Sequence, residues 1–188
     1  MKKRGITTTR KKKMELTDGL LTRRSVRKFK DQKIDKATLQ EIIRITQYSA
    51  SAHNAKPWEF LVIEDKGALA KFRFLQRAAA FADKAAAVIL VCVDKNKTYT
   101  REKENWNYAE IDGSSATTTL ILAAHGMGLG ACWCGCSPMT KPLADVAEYF
   151  KLPEHILPFA IVVLGYPEVI PHQPTDREDA SLVHWEKW

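Results

Sequence analysis

The chain has 188 residues, 45% apolar and 27% charged, and its 29 Lys and Arg against 22 Asp and Glu give a net charge of +7. That length fits one domain with extensions, and the composition excludes a disordered chain, a collagen and a scaffold built on disulfides. The basicity points to nucleic acid only until it is located: residues 1–13 hold seven Lys and Arg and no acid, leaving 22 of each sign in the other 175 residues.

The segment MKKRGITTTRKKK has almost nothing to bury and reads as a disordered basic tail, or as sequence upstream of a start at Met14. A nucleic-acid or membrane-surface arm is the alternative. It lacks the apolar core of a secretory signal, about 7–15 residues long, and shows no amphipathic face of a transit peptide. No apolar run approaches the ~18 residues of a membrane span, so no membrane partner is expected. Four cysteines, Cys92, Cys132, Cys134 and Cys136, suggest reduced thiols in a cytoplasm. Residues 14–188 are expected to form one domain.

From Glu15 onward helical and strand-like patterns alternate. Residues 15–22 read as a short first helix. Asp35 is a good N-cap for a helix in which Leu39, Ile42, Ile43 and Thr46 recur at helical spacing. SASAHNAKP, rich in small and turn residues, leads into WEFLVIED, a half-buried strand by composition. Residues 67–84 read as helical. AAVILVCVD is a short, continuously apolar run and so a central strand. Residues 104–127 form the longest helical candidate, with Leu120, Ile121, Ala124 and Met127 at core spacing and GMGLG to close it. ACWCG is a further strand. Ser137 and Pro138 supply an N-cap and a first helical residue to a helix ending near Phe150. PFAIVVLGY is the last strand. The ending, PEVIPHQPTDREDASLVHWEKW, is broken by three prolines yet carries Leu182, Val183, Trp185 and Trp188. Those side chains need a surface, and a second subunit is the natural one. Four strands separated by helices suggest α/β or α+β.

Three clusters carry chemistry. In RRSVRKFK, Arg23, Arg24, Ser25 and Arg27 place three guanidinium forks and a hydroxyl within five residues, a donor set that matches phosphate oxygens. A solvated helix end with favourable cations is the plainer reading of the same residues. In SASAHNAKPWEF, small residues and Asn54 at a turn let backbone approach a flat ligand, and the Asn54 amide both donates and accepts. A simple helix-to-strand loop is equally open. In GLGACWCGCSP the Cys-x-Cys-x-Cys pattern puts three thiols on one strand face, but structural zinc wants a second pair at other spacing, so no metal is expected. Cys92 sits in an apolar strand and reads as a small hydrophobe. Neither a GxGxxG after a strand, a P-loop, a GxSxG elbow nor an HExxH occurs, and the five histidines are scattered.

Together these segments resemble the nitroreductase family of flavin mononucleotide (FMN) enzymes. RRSVRKFK is similar to its R-x-S-x-R-x-F signature and SASAHNAKPWEFLVI to its P-S-A-x-N-x-Q-P-W-x-F segment. LILAAHGMGLGACWCG is similar to its helix-then-GLGxCWxG element, and SLVHWEKW to its closing V-H-W-E. The match is collinear from about Leu20 to Trp188. The resemblance implies an α+β sandwich with a central, mostly antiparallel sheet flanked by helices. It also implies an obligate homodimer with flavins at the interface and a C-terminal extension that crosses to the partner.

It further implies that Arg23, Arg24, Ser25 and Arg27 hold the flavin phosphate, with Arg177 as the C-terminal basic residue. Ser51, Ala52, His53, Asn54 and Lys56 would border the ring, and Trp133, Cys134 and Gly135 would line it. The implied activity is hydride transfer from NADH or NADPH to the flavin, then reduction of a nitroaromatic, quinone or similar small aromatic acceptor in the same site. No side chain is required as general acid or base, and no nucleic acid is expected. A nucleic-acid-binding protein using the tail and residues 23–30 is an alternative from another class; within enzymes, a flavin-using relative with another reaction, dehydrogenase or dehalogenase in type, is the alternative. It would use the segment Asp94–Glu110, with Tyr99, Trp106 and Tyr108, as a cover. Three residues depart from the family pattern: Lys56 stands where Gln is usual, Thr119 where Asn is frequent, and Ala50 where Pro is usual. A cation near the ring would favour the reduced flavin.

Overall fold

The computed structural model describes residues 14–104, 106–173 and 177–188; the basic tail expected over residues 1–13 lies outside them. Helix α1 (Leu16–Thr22) leads through an extended segment to α2 (Lys36–Thr46). As expected, α2 opens where the Asp35 carboxylate accepts the Thr38 N–H at 2.7 Å, which satisfies a donor the helix cannot. Strand β1 (Trp58–Ile63), helix α3 (Lys66–Leu75) and strand β2 (Ala87–Asp94) follow. Two-residue strands β3 (Thr100–Arg101) and β4 (Trp106–Asn107) pair as a small hairpin. Helix α4 (Ala109–Gly126), strand β5 (Gly130–Gly135), helix α5 (Thr140–Tyr149) and strand β6 (Ile156–Gly165) complete the order.

The main sheet runs β1-β2-β6-β5, with every neighbouring pair antiparallel. This is the α+β sandwich that the resemblance implied. Alternation sorts the strands into two cores. Ile89, Val91, Ala160 and Val162 face α2 and α4, whereas Val88, Leu90, Ile161 and Val163 face α3 and α5. All eight residues of β2 are buried, which explains its unbroken apolar run. Each such Val, Leu or Ile contributes roughly 1.5–3 kcal/mol by leaving water.

Three expected boundaries move, each for a local reason. The helix expected over 67–84 ends at Leu75, because Gln76 is extended (φ −149°, ψ 108°). Its amide nitrogen donates to the Gly135 carbonyl at 2.5 Å and its oxygen accepts from Ala78 N–H at 3.2 Å. Short turns of 3₁₀ helix over 77–79 and 82–84 replace the rest. The helix expected from 104 starts at Ala109, since Thr100–Arg101 and Trp106–Asn107 pair as the hairpin and Asn107 Oδ1 accepts the Ala109 N–H at 3.1 Å. Ser137 and Pro138 do not open α5. The Ser137 hydroxyl donates to the Glu110 carboxylate instead, and α5 begins at Thr140. Pro142 then falls in the first turn, where no N–H is needed.

Helix α4 positions the site. Its apolar residues are not confined to one face: Ala116, Leu120 and Ala124 are buried against the sheet while Ile111 is exposed, and Glu110, Asp112 and His125 give it polar groups near both ends. No helix among the described residues is long and apolar enough to cross a membrane.

Candidate cofactor site

Residues 23–27 lie extended along the open edge of β5. The Val26 N–H donates to the Ala131 carbonyl at 2.9 Å, and Ser25 bridges Ala131 in parallel register. The approach depends on Gly130, where a Cβ would lie 2.7 Å from that of Val26. Arg23 then sits beside Arg177 and Arg24. Burial first, and those two charges next, hold its guanidinium below its usual pKa. Arg24 Nη1 is buried with no hydrogen-bond partner. Among the described residues no carboxylate pairs with Arg23, Arg24, Arg27 or Arg177. A half-buried guanidinium with a buried, unpaired nitrogen beside like charges is unfavourable by itself, and a multivalent anion with several acceptor oxygens relieves both defects.

Two neighbours record the same positive field. Cys132 is pulled down to about 7, chiefly by its side-chain interaction with Cys134, with Arg27, Ser25 and Arg23 adding and burial opposing. The Cys134 thiol is correspondingly raised. His125, near the end of α4, is lowered by burial and then by Arg23, and its Nε2 lies 2.9 Å from Thr22 Oγ1.

The loop Ser51–Lys56 is built differently. His53, Asn54 and Lys56 all have positive φ, at 50°, 55° and 50°. Such backbone in a non-glycine residue costs of order 1 kcal/mol each and persists only when surroundings over-determine it. Here Ser51 Oγ accepts the Lys56 N–H at 3.0 Å, the Asp112 carboxylate accepts the Ala52 N–H at 2.9 Å, and the His53 ring stacks on Tyr99 at 3.8 Å. Asn54 and Lys56 line a cavity of about 670 Å³ shared with Gln47, Tyr48, Ser49, Trp58, Glu59 and Phe60.

Strand β5 splits the third block between two faces. Trp133 packs toward α4 against Phe159, with ring centroids 5.8 Å apart. Cys134 points to the opposite core, where its thiol donates to the Ala78 carbonyl at 3.1 Å. What Cys134 can offer a surface ligand is therefore backbone. Gly135 is half-buried at the strand end. The four cysteines are free and buried, and no group of His, Cys, Asp or Glu among the described residues is arranged to hold a metal ion.

The arginines and Trp133–Gly135 share one edge of the sheet, but the loop Ser51–Lys56 does not join them. It enters β1, the opposite edge. Helix α4 measures the gap: Asp112 grips the loop near one end and His125 meets Thr22 near the other, about 20 Å along the axis.

Sequence reasoning did not single out Asp112. An acid in the first turn of a helix reads as a partner for the dipole, and only the fold reveals that Asp112 is buried against the loop. Burial raises its carboxyl pKa from the ordinary value, with the hydrogen bond from Ala52 opposing.

The model of the nitroreductase family matches residues 20–166. A Methanothermobacter thermautotrophicus protein, provisionally named an NADH dehydrogenase/NAD(P)H nitroreductase, is 32% identical over 176 residues, covering 94% of this chain and 89% of that one. A crystal structure from Parabacteroides distasonis, of a protein given the same provisional name, superposes with a TM-score of 0.83 at 30% identity, covering 92% and 98% of the two chains. An FMN-dependent nitroreductase of Clostridium difficile superposes with a TM-score of 0.81 at 26% identity, covering 92% and 99%.

Proposed function

The chain belongs to the nitroreductase family, and from that premise we propose that it is an FMN-dependent oxidoreductase. It takes hydride from NADH or NADPH and reduces flat, electron-poor acceptors such as nitroaromatics or quinones, donor and acceptor using the site in turn. The observation that carries this reading is the cluster of four arginines that pair with no carboxylate among the described residues, one of them, Arg24, half-buried with its Nη1 buried and unpaired. That donor set fits the phosphate of a flavin. Arg23, Arg24 and Arg27 with Ser25 would hold the phosphate and Arg177 would close on it. Backbone at Trp133–Gly135, and the loop Ser51–Lys56, would border the ring. When bound, the flavin supplies the two-electron chemistry, and the protein supplies orientation and polar tuning.

The two halves flank opposite edges of one sheet, and we assign them to two chains of a homodimer. Each loop Ser51–Lys56 then faces the arginines of the other subunit. Unpartnered apolar surface supports this: Leu16 and Leu21 on α1, and Leu182, Val183, Trp185 and Trp188 at the C-terminal end, are exposed in the single chain. The C-terminal extension is placed across the partner for the same reason. We place the protein in the cytoplasm, where its four thiols stay reduced.

Anaerobic titration of the FMN-loaded protein with each nicotinamide tests the activity. Stoichiometric bleaching of the yellow flavin, reversed by a nitroaromatic or quinone, is the expected result. A chain that takes up no FMN, or a bound flavin that neither nucleotide bleaches, contradicts it.

A further inference from the structure

The first turn of α4 holds two grips on adjacent residues of the loop. Asp112 accepts the Ala52 N–H at 2.9 Å. One turn earlier, Tyr108 donates its N–H to the Tyr99 carbonyl at 3.1 Å and packs its ring 5.7 Å from that of Tyr99, which stacks on His53 at 3.8 Å. Tyr108 and Asp112 are themselves joined by the helix bond from Asp112 N–H to Tyr108 carbonyl at 2.9 Å. The circuit Ala52–Asp112–Tyr108–Tyr99–His53 is closed.

Within it Asp112 is 2% exposed, and its second oxygen, Oδ2, is buried with no partner. A buried carboxyl oxygen without a donor is costly, and a neutral side chain could accept the Ala52 N–H more cheaply.

We infer that Asp112 is a positioning residue for the cofactor: with the Tyr108–Tyr99–His53 stack it clamps Ala52 and His53, and so holds His53, Asn54 and Lys56 in their left-handed backbone, ready to border the ring. This rests on the flavin reading above, so its test has one arm that needs no flavin.

That arm is hydrogen exchange of the backbone amides over residues 52–56 in the full chain without FMN. D112A is expected to speed their exchange by about tenfold or more, and D112N, which keeps an acceptor oxygen, to stay within about threefold of the parent. The second arm is FMN affinity by quenching of flavin fluorescence, with a loss of about tenfold or more for D112A and rescue in D112N. Unchanged exchange in D112A overturns the inference whatever FMN does, as does a D112N variant that exchanges as fast as D112A. If D112A does not fold, Y99L removes the opposite jaw, and loop exchange at the parental rate in that variant overturns the clamp. A parent chain that binds no FMN sinks the flavin reading, while the exchange arm still decides the clamp.

Discussion

Replacing Arg23 and Arg27 together with alanine should weaken FMN binding by roughly 10² to 10⁴-fold, because each charge-assisted hydrogen bond is worth about 1.5–3 kcal/mol. The same change should leave the apo protein no less stable. Arg23 is held below its usual pKa by burial and then by Arg177 and Arg24, so its charge is disfavoured in the empty fold. Affinity and apo stability therefore move independently or in opposite directions. Fluorescence titration with FMN and thermal melting of the apo protein measure the two. A double variant that melts far lower and binds FMN as before would show the cluster to be structural.

Lys56→Gln should lower the flavin midpoint potential by about 30 mV, the equivalent of about 1.4 kcal/mol in a two-electron couple. Lys56 is held by its backbone, with its N–H on Ser51 Oγ at 3.0 Å and φ at 50°. Its exposed ammonium pairs with no carboxylate among the described residues and borders the cavity beside Asn54. A free cation near the ring stabilises the added electrons, and solvent keeps the effect modest. Redox titration of the loaded protein gives the shift directly. An unchanged potential would mean that the ammonium stays in solvent, away from the ring.

The apolar run of β2, the Asp35 cap and the arginine cluster were readable in the sequence because each rests on residue type and short spacing. Long-range contacts were not. Gln76 breaks α3 through a bond to Gly135, and Ser137 spends its hydroxyl on Glu110. Both partners lie far away in sequence, so local propensity gave a longer helix and a false cap. Asp112 is the same lesson at the site, since its role depends on Ala52, sixty residues away. Nor can motif order show that the arginines and the loop Ser51–Lys56 flank opposite edges of one sheet. That separation is what converts a list of ligand residues into a claim about two chains.

Complementation between two defective variants tests that claim most directly. R23A/R27A removes the phosphate half and S51A/N54A the ring half, so neither homodimer should hold FMN at a concentration that fills the parent. In a heterodimer with exchanged halves, one site carries both lesions and the other carries none. Random mixing of equal amounts should then restore about a quarter of the parental FMN per chain. If each chain builds its own site, the mixture will bind no more than the two variants do separately.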